Sequence, residues 1–112
     1  MVHIKAHVEK EIYVIEVEGE VDAGSSIHLD NALTEAINDK KKRLAVDLSR
    51  LQYISSAGLG VFISHVDEFD KSEVEVRLFG INETVQQVFE ILGLDKLLKI
   101  VNTKEEAIAD FQ

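Results

Sequence analysis

The sequence predicts an α/β fold in which a mixed sheet of about five strands carries about four packed helices. Two kinds of segment follow one another along the chain. Strand-like segments alternate apolar and polar residues or are short and apolar, and helix-like segments have apolar residues at helical spacing. The chain of 112 residues has no proline and few glycines outside the proposed turns. No linker is therefore marked, and we expect residues 1–112 to form a single domain.

A β-hairpin is predicted at the start of the chain. Residues 2–8 alternate between apolar and polar side chains, which is the pattern of a strand with one wet face. Residues 9–11 form a polar turn, and residues 12–17 are rich in β-branched and aromatic side chains that favour a second strand. We expect the hairpin to end at Gly19 and a loop to occupy residues 19–24.

The first helix is predicted to follow a capping serine, which is Ser25 or Ser26. Its apolar stripe recurs every four residues, at Leu29, Leu33 and Ile37. The cations of residues 40–43 suit the negative end of this helix, and we interpret them as a solvated helix end in preference to a phosphate-binding patch.

A central strand and a second helix are predicted next. Residues 44–48 are nearly all apolar, as expected for a strand covered on both faces, and polar turn residues follow them. The second helix is predicted to begin directly after Ser55 and Ser56. Its apolar residues fall at helical spacing: Leu59, Phe62, Ile63, Val66 and Phe69.

The last part of the chain predicts a strand, a helix, a short strand and a closing helix. Residues 73–79 alternate, Asn82 opens a helix that Gly93 terminates, and residues 97–101 form the last strand. Residues 103–106 match a Thr-x-x-Glu capping box for the closing helix. The side chains expected to face the core in these two helices are Val85, Val88, Phe89, Leu92, Ala107, Ile108 and Phe111.

The composition excludes several classes of function. A formal net charge of -9 would repel a phosphate backbone and an anionic membrane. The absence of cysteine removes disulfides and thiol nucleophiles, and it fits a reducing compartment. No apolar run approaches the ~18 residues that span a bilayer, and the amino terminus lacks a signal-peptide core. We expect a cytoplasmic protein that binds neither nucleic acid nor membranes.

The histidines do not suggest a metal site. His3 and His7 lie on one strand and are about 13 Å apart, which is too far for one ion. His28 and His65 belong to separate helices and have no accompanying carboxylate motif. We therefore expect no metal and interpret the histidines as surface or rim residues.

Motifs of enzymes and cofactor-binding proteins are missing as well. The Gly-x-Ser-x-Gly pattern of a nucleophile elbow surrounds neither Ser55 nor Ser56. Gly58-Leu59-Gly60 lacks the third glycine of a dinucleotide fingerprint and the lysine of a phosphate loop. We expect no cofactor and no enzymatic activity, and a small hydrolase or transferase is the least favoured hypothesis.

Two interpretations are open for the pair of serines where the strand-following turn meets the second helix. A serine oxygen there can accept a hydrogen bond from an amide of the first turn, which contributes about 1 kcal/mol and is the commoner use of such a residue. Alternatively, the helix start accommodates the phosphate of a phosphoserine, whose charge would oppose docking of a partner. The small residues Ala57, Gly58 and Gly60 should leave the backbone of the first turn approachable by a partner or a kinase.

Residues 53–62 resemble the signature of bacterial anti-sigma factor antagonists, a STAS-domain family whose usual form is Asp-Ser-Ser/Thr-Gly-Leu-Gly followed by aliphatic residues. Residues 19–22, Gly-Glu-Val-Asp, resemble the Gly-Glu-Leu-Asp loop of that family, and residues 44–51 resemble its central strand and Asp-Leu-Ser turn. The three matches occur in the right order and imply a single STAS-like domain. The chain differs by having Ser55 where the family usually has Asp and Ala57 where it has Ser or Thr.

The resemblance implies a protein-binding switch that sequesters an anti-sigma factor, itself a serine kinase, and so frees a sigma factor for transcription. It implies phosphorylation at Ser56, with Ser55 as the reserve candidate, and a serine phosphatase as a further partner. Asp22 is either a simple turn former or a docking residue. The implied partner surface consists of Asp22, Ser55, Ser56, Ala57, Gly58, Leu59 and Gly60. The alternative is a STAS module that is not phosphorylated and senses a small ligand or acts as a scaffold in a signalling assembly.

Overall fold

The computed structural model describes residues 1–111 and has the predicted α/β architecture. Its five strands lie in the order β1-β2-β3-β4-β5, which is also their order along the chain. β1 (Val2–Glu9) pairs antiparallel with β2 (Ile12–Val21). β3 (Arg43–Ile54), β4 (Glu75–Phe79) and β5 (Lys99–Val101) extend the sheet from β2 with parallel pairing. The prediction of a mixed sheet is confirmed.

Helices fill the connections between the parallel strands, since such strands need a long crossover. Within residues 1–111 the helices are α1 (Ser26–Asn38), α2 (Ser56–Lys71), α3 (Glu83–Ile91), α4 (Leu94–Leu97) and α5 (Lys104–Asp110). The sequence predicted four of them and missed α4, because a helix of four residues is too short to show a periodic pattern. No helix in the described range combines the length and apolarity needed to cross a bilayer.

Two hydrophobic clusters lie on opposite faces of the sheet. The larger one is built from inward side chains of the strands and from α1–α4, whose contributions include Leu29, Phe62, Phe89 and Leu94. The rings of Phe62 and Phe89 pack at a centroid distance of 5.8 Å and join α2 to α3. The smaller cluster lies under α5 and contains Ile12, Val14, Ala45, Phe79, Ala107 and Phe111.

β2 and β3 are longer than the sequence predicted. We expected β2 to end at Gly19 and a turn to follow Leu48, but β2 continues to Val21 and β3 to Ile54, so both expectations are wrong. Their pairing shifts register twice, between Glu16 and Glu18 and between Gly19 and Glu20. Each shift adds one residue to β3 relative to β2, as a β-bulge does.

The side-chain caps predicted for α3 and α5 are confirmed. The amide of Val85 donates to Asn82 over 2.8 Å, and the amide of Glu106 donates to Thr103 over 3.1 Å. Gly93 has the left-handed backbone expected after α3, with φ of 74°. Leu92, which we expected in the core, is 51% exposed because it caps the end of α3, where the inner stripe of the helix stops.

Candidate functional site

The two predicted site segments lie next to each other, because they follow the carboxyl ends of the paired strands β2 and β3. Val21 and Ile54 are register partners in the parallel pair, and the amide of Ser55 donates to the carbonyl oxygen of Val21 over 2.8 Å. Asp22 directly follows Val21, so the loop before α1 and the start of α2 are neighbours in the fold. This proximity comes from strand pairing and is independent of the side chains at either site.

Ser55 is the N-cap of α2. Its backbone is extended, with φ of -81° and ψ of 171°, and its side-chain oxygen accepts a hydrogen bond from the amide of Gly58 over 3.2 Å. Its carbonyl accepts the amide of Leu59 over 2.9 Å, which begins the helical ladder. The capping interpretation therefore describes Ser55, whose side chain is half-buried and already hydrogen-bonded.

Ser56 has a different environment from that of Ser55. It is the first residue of α2 and is exposed. Its hydroxyl makes no hydrogen bond to any side chain or backbone group that the structure describes. Ser56 is thus the serine of the pair that solvent, or another protein, can reach.

Gly58 and Leu59 fix the start of α2 against the sheet. A Cβ atom at Gly58 would lie 2.7 Å from both Ile54 Cγ1 and Val21 Cγ1, so the helix backbone rests directly on the ends of the two strands. Leu59 is 4% exposed and packs in the larger cluster. The resemblance placed both residues on the partner surface, but their burial leaves no side chain there for a partner to touch.

Ala57 and Gly60 lie on the outer side of the same turn. Ala57 is exposed, and Gly60 is half-buried with open space where a Cβ atom would be. The helix surface around these two residues is consequently flat, and its backbone is open to close approach.

Asp22 organises the turn before α1. Its carboxylate oxygen Oδ1 accepts hydrogen bonds from the amide of Ser25 over 2.8 Å and from the Ser25 hydroxyl over 2.9 Å. The backbone hydrogen bond from Ser25, followed by that from its side chain, lowers the pKa of Asp22. The turn-former interpretation is therefore satisfied, although the carboxylate stays exposed. Ser25 is the N-cap of α1 without making a side-chain cap of its own.

Two exposed apolar side chains on β3 and α2 were not assigned to the site from the sequence. Tyr53, at the end of β3, is 51% exposed and Ile63, on α2, is 47% exposed. Ile63 is one of the apolar residues from which α2 was predicted, and it faces outward. Ser56, Gly60 and Ile63 stand at positions i, i+4 and i+7 and therefore share one face of the helix. This spacing can be read from the sequence.

The outward face of α2 is also uncharged over its first three turns. Residues 56–66 contain no lysine, arginine, aspartate or glutamate, although the chain carries a formal net charge of -9. Exposed apolar surface of this kind marks protein interaction sites more often than a scattered single residue does. We call the outward residues of this face, Ser56, Ala57, Gly60 and Ile63, the α2 face.

His65 is buried, so the expectation that the histidines are surface or rim residues is wrong for this one. It is 7% exposed, and its Nε2 lies 2.6 Å from Oδ1 of Asp30 across the contact between α2 and α1. The carboxylate supplies the polar partner that makes burial of the ring tolerable. Within residues 1–111, no three histidine, aspartate or glutamate side chains come close enough to hold a metal ion.

Known proteins share both the sequence pattern and the fold. The STAS domain family matches residues 3–107. The anti-sigma-B factor antagonist of Staphylococcus aureus is 26% identical over 98 residues, covering 88% of this chain and 91% of that protein. BtrV of Bordetella bronchiseptica, named as an anti-sigma factor antagonist, is 31% identical over 96 residues, covering 86% and 83%. The crystal structure of an anti-sigma factor antagonist from Mycobacterium paratuberculosis matches with a TM-score of 0.90 at 20% identity, over 98% of this chain and 93% of that one.

Proposed function

Because the chain belongs to the STAS domain family, we propose that it is an anti-sigma factor antagonist, a cytoplasmic and non-enzymatic switch that binds an anti-sigma factor and so frees a sigma factor for transcription. The observation that carries the proposal is the α2 face, which is exposed, flat and uncharged. Such a surface loses little hydration energy when a partner covers it.

The regulatory part of the proposal assigns phosphorylation to Ser56 by an anti-sigma factor that is also a serine kinase, with a serine phosphatase reversing it. The free hydroxyl of Ser56 supports this choice over Ser55, whose oxygen caps α2. Phosphate would add about -1.5 to -2 charges to a face that has none. Such a charge weakens binding by several kcal/mol when the partner must desolvate it or place a like charge against it. The hydrophobic core beneath the helix would stay unchanged.

Asp22 belongs to the proposed partner surface together with the α2 face. Its exposed carboxylate sits at the same sheet edge, and its low pKa keeps it ionised at neutral pH. Asp22→Asn tests this role. Unaltered partner affinity and unaltered phosphorylation of that variant would limit Asp22 to shaping the turn.

The experiment that tests the proposed function is a pull-down from the native host with four forms of the protein: wild type, Ser56→Ala, Ser56→Asp and Ser55→Asp. We expect wild type and Ser56→Ala to retain a kinase-like partner and Ser56→Asp to lose at least about 90% of it. Ser55→Asp is the matched control, since it adds the same charge at the cap position. Intact-mass analysis after incubation with the recovered kinase and ATP should show one phosphate on wild type and none on Ser56→Ala.

A second candidate is a STAS scaffold or small-ligand sensor that is never phosphorylated. Ser55 favours it, because a neutral cap stands where the resembling family usually has an aspartate. An unchanged set of partners for Ser56→Asp, together with no phosphate on the wild type, would select this candidate over the first.

A further inference from the structure

The two edges of the sheet differ in length and protection. At one edge β5 has three residues, and proteins commonly shorten edge strands to prevent unwanted pairing. At the other edge β1 has eight residues, most of them exposed, and no strand within residues 1–111 pairs with its outer side. β1 therefore offers a long row of unpaired backbone groups.

The hydrogen-bonding pattern between β1 and β2 shows which residues of β1 have outward amides and carbonyls. The amide of Glu20 donates to the carbonyl of Met1, and the antiparallel register continues from this pair through Lys5 opposite Glu16. Hydrogen-bonded and non-hydrogen-bonded pairs alternate along such a ladder. The odd-numbered residues of β1 thus bond to β2, and the outward amides and carbonyls belong to Val2, Ile4, Ala6 and Val8.

A groove of about 390 Å³ runs beside this edge on the side of α1. Val2, Ile4 and Ala6 form its strand side, and residues of α1 such as Asn31 and Glu35 form its helix side. An extended peptide that pairs with an edge strand next to a helix places every second side chain in such a groove. The groove is large enough for small apolar side chains.

The opposite side of β1 presents Lys5 between His3 and His7, with Glu9 at the turn end of the strand. His3, Lys5 and His7 alternate with the groove residues, and Glu18 and Glu16 of β2 lie opposite His3 and Lys5 in the register. Lys5 thus has an acidic neighbour on β2, and an acidic side chain on an added strand would give it a second one on its open side. Opposite charges across a strand pair are favourable and like charges are not.

The same row disfavours a second copy of this chain as the occupant. Antiparallel pairing of two β1 strands about their centre would place Lys5 opposite Lys5 and His3 opposite His7. The contact between the two Lys5 ammonium groups is destabilising.

We propose that β1 is a second interaction site, separate from the α2 face, which binds an extended segment of a partner protein as an added strand. The segment presents small apolar residues to the groove at α1 and acidic residues to His3, Lys5 and His7. Its backbone pairs with the outward amides and carbonyls of the even-numbered residues.

The probe is a synthetic ten-residue peptide in which glutamates alternate with valines and threonines, titrated into the full ¹⁵N-labelled chain. We expect shifts at the amides of Val2, Ile4, Ala6 and Val8 and at least about fivefold slower hydrogen exchange there, which corresponds to about one new hydrogen bond. A peptide with lysines in place of the glutamates should bind at least about fivefold more weakly. No shifts at millimolar peptide, or equal binding of the lysine peptide, would overturn the proposal.

Three variants complete the test. Ala6→Pro removes an outward amide that the fold does not use, a position where an edge strand tolerates proline, and should weaken binding at least about fivefold; Ala6→Ser keeps the amide and should bind like wild type. Lys5→Gln removes the cation without placing a like charge opposite Glu16, so it should weaken binding and leave the ladder intact. It keeps the test valid if Ala6→Pro unfolds. Equal effects of the two Ala6 variants in folded proteins, or a β1-dependent dimer in sedimentation, would refute a partner peptide as the occupant.

Discussion

The amide of Ser55 and the carbonyl oxygen of Val21 are joined by a hydrogen bond of 2.8 Å. This bond connects the last residue of β2 to the N-cap of α2 through backbone atoms alone. The position of α2 on the sheet edge is therefore maintained whichever side chain occupies position 55. Side-chain changes there act on the stability of the helix start and leave its location unchanged.

Replacing the cap of α2 tests this separation. Ser55→Ala removes the oxygen that accepts from Gly58, and we expect the free energy of unfolding to fall by about 1 kcal/mol in urea denaturation. Ser55→Asp restores a cap and should recover the loss. Ser56→Ala is the control and should change stability by less than about 0.5 kcal/mol. A larger effect at position 56 than at 55 would contradict the assignment of the cap.

The two glycines of the helix start should respond in opposite directions to alanine. Gly58→Ala brings a Cβ within 2.7 Å of two core side chains and should destabilise the domain by about 1–3 kcal/mol. Gly60→Ala meets open space and should stabilise the helix by about 0.5–1 kcal/mol. Thermal unfolding of both variants measures the difference. Equal destabilisation would mean that α2 does not rest on the strands as described.

Asp110 gives a prediction about acid. Hydrogen bonds from Lys99, 2.7 Å away, and from Arg77 lower the pKa of Asp110. Because the folded pKa lies below the unfolded one, the stabilisation is present above the unfolded pKa of about 4 and is lost as the pH falls through the folded value. Carboxyl NMR titration should show a higher Asp110 pKa in Lys99→Met. Lys96→Met, an exposed lysine of α4, should leave it in place.

The buried contact between α1 and α2 depends on His65. His65→Ala removes the ring that packs 5.8 Å from Phe69, and we expect a loss of about 2–4 kcal/mol. His65→Phe keeps an aromatic ring and forfeits only the bond to Asp30, so its loss should be smaller. His28→Ala, on the exposed side of α1, serves as the control within about 0.5 kcal/mol. Urea denaturation that ranks His65→Phe below His65→Ala in stability would contradict this account.

Local periodicity predicted the helices and strands of the fold. The lengths of the strands depended on their pairing, which periodicity does not show. The stripe of α1 and the caps at Asn82 and Thr103 follow from side chains within one turn, so the sequence contains them. The continuation of β2 past Gly19 depends on bulged pairing with β3, a partner distant in sequence. Position 19 requires glycine, because its φ is +97° and a Cβ atom would lie 2.3 Å from the carbonyl oxygen of Met1.

The candidate site was predictable in its location and less so in its surface. The serine pair and Asp22 were singled out from motif resemblance, and strand ends at one sheet edge bring their segments together. Which of the two serines is free depended on the cap geometry, which spacing alone left open. The burial of His65 depended on Asp30 from another helix, a pairing that no local pattern reveals.

The smaller cluster under α5 gives the domain an uneven resistance to opening. Within residues 1–111, α5 is the single helix on its face, and it has seven residues. Short elements with few buried contacts exchange their amides through local openings that cost less than global unfolding. Detachment of α5 would uncover Phe79 and Ala45 while α1–α4 keep their packing. Such local opening would take place on the face of the sheet opposite α2. It would therefore leave the affinity of a partner bound to α2 unchanged.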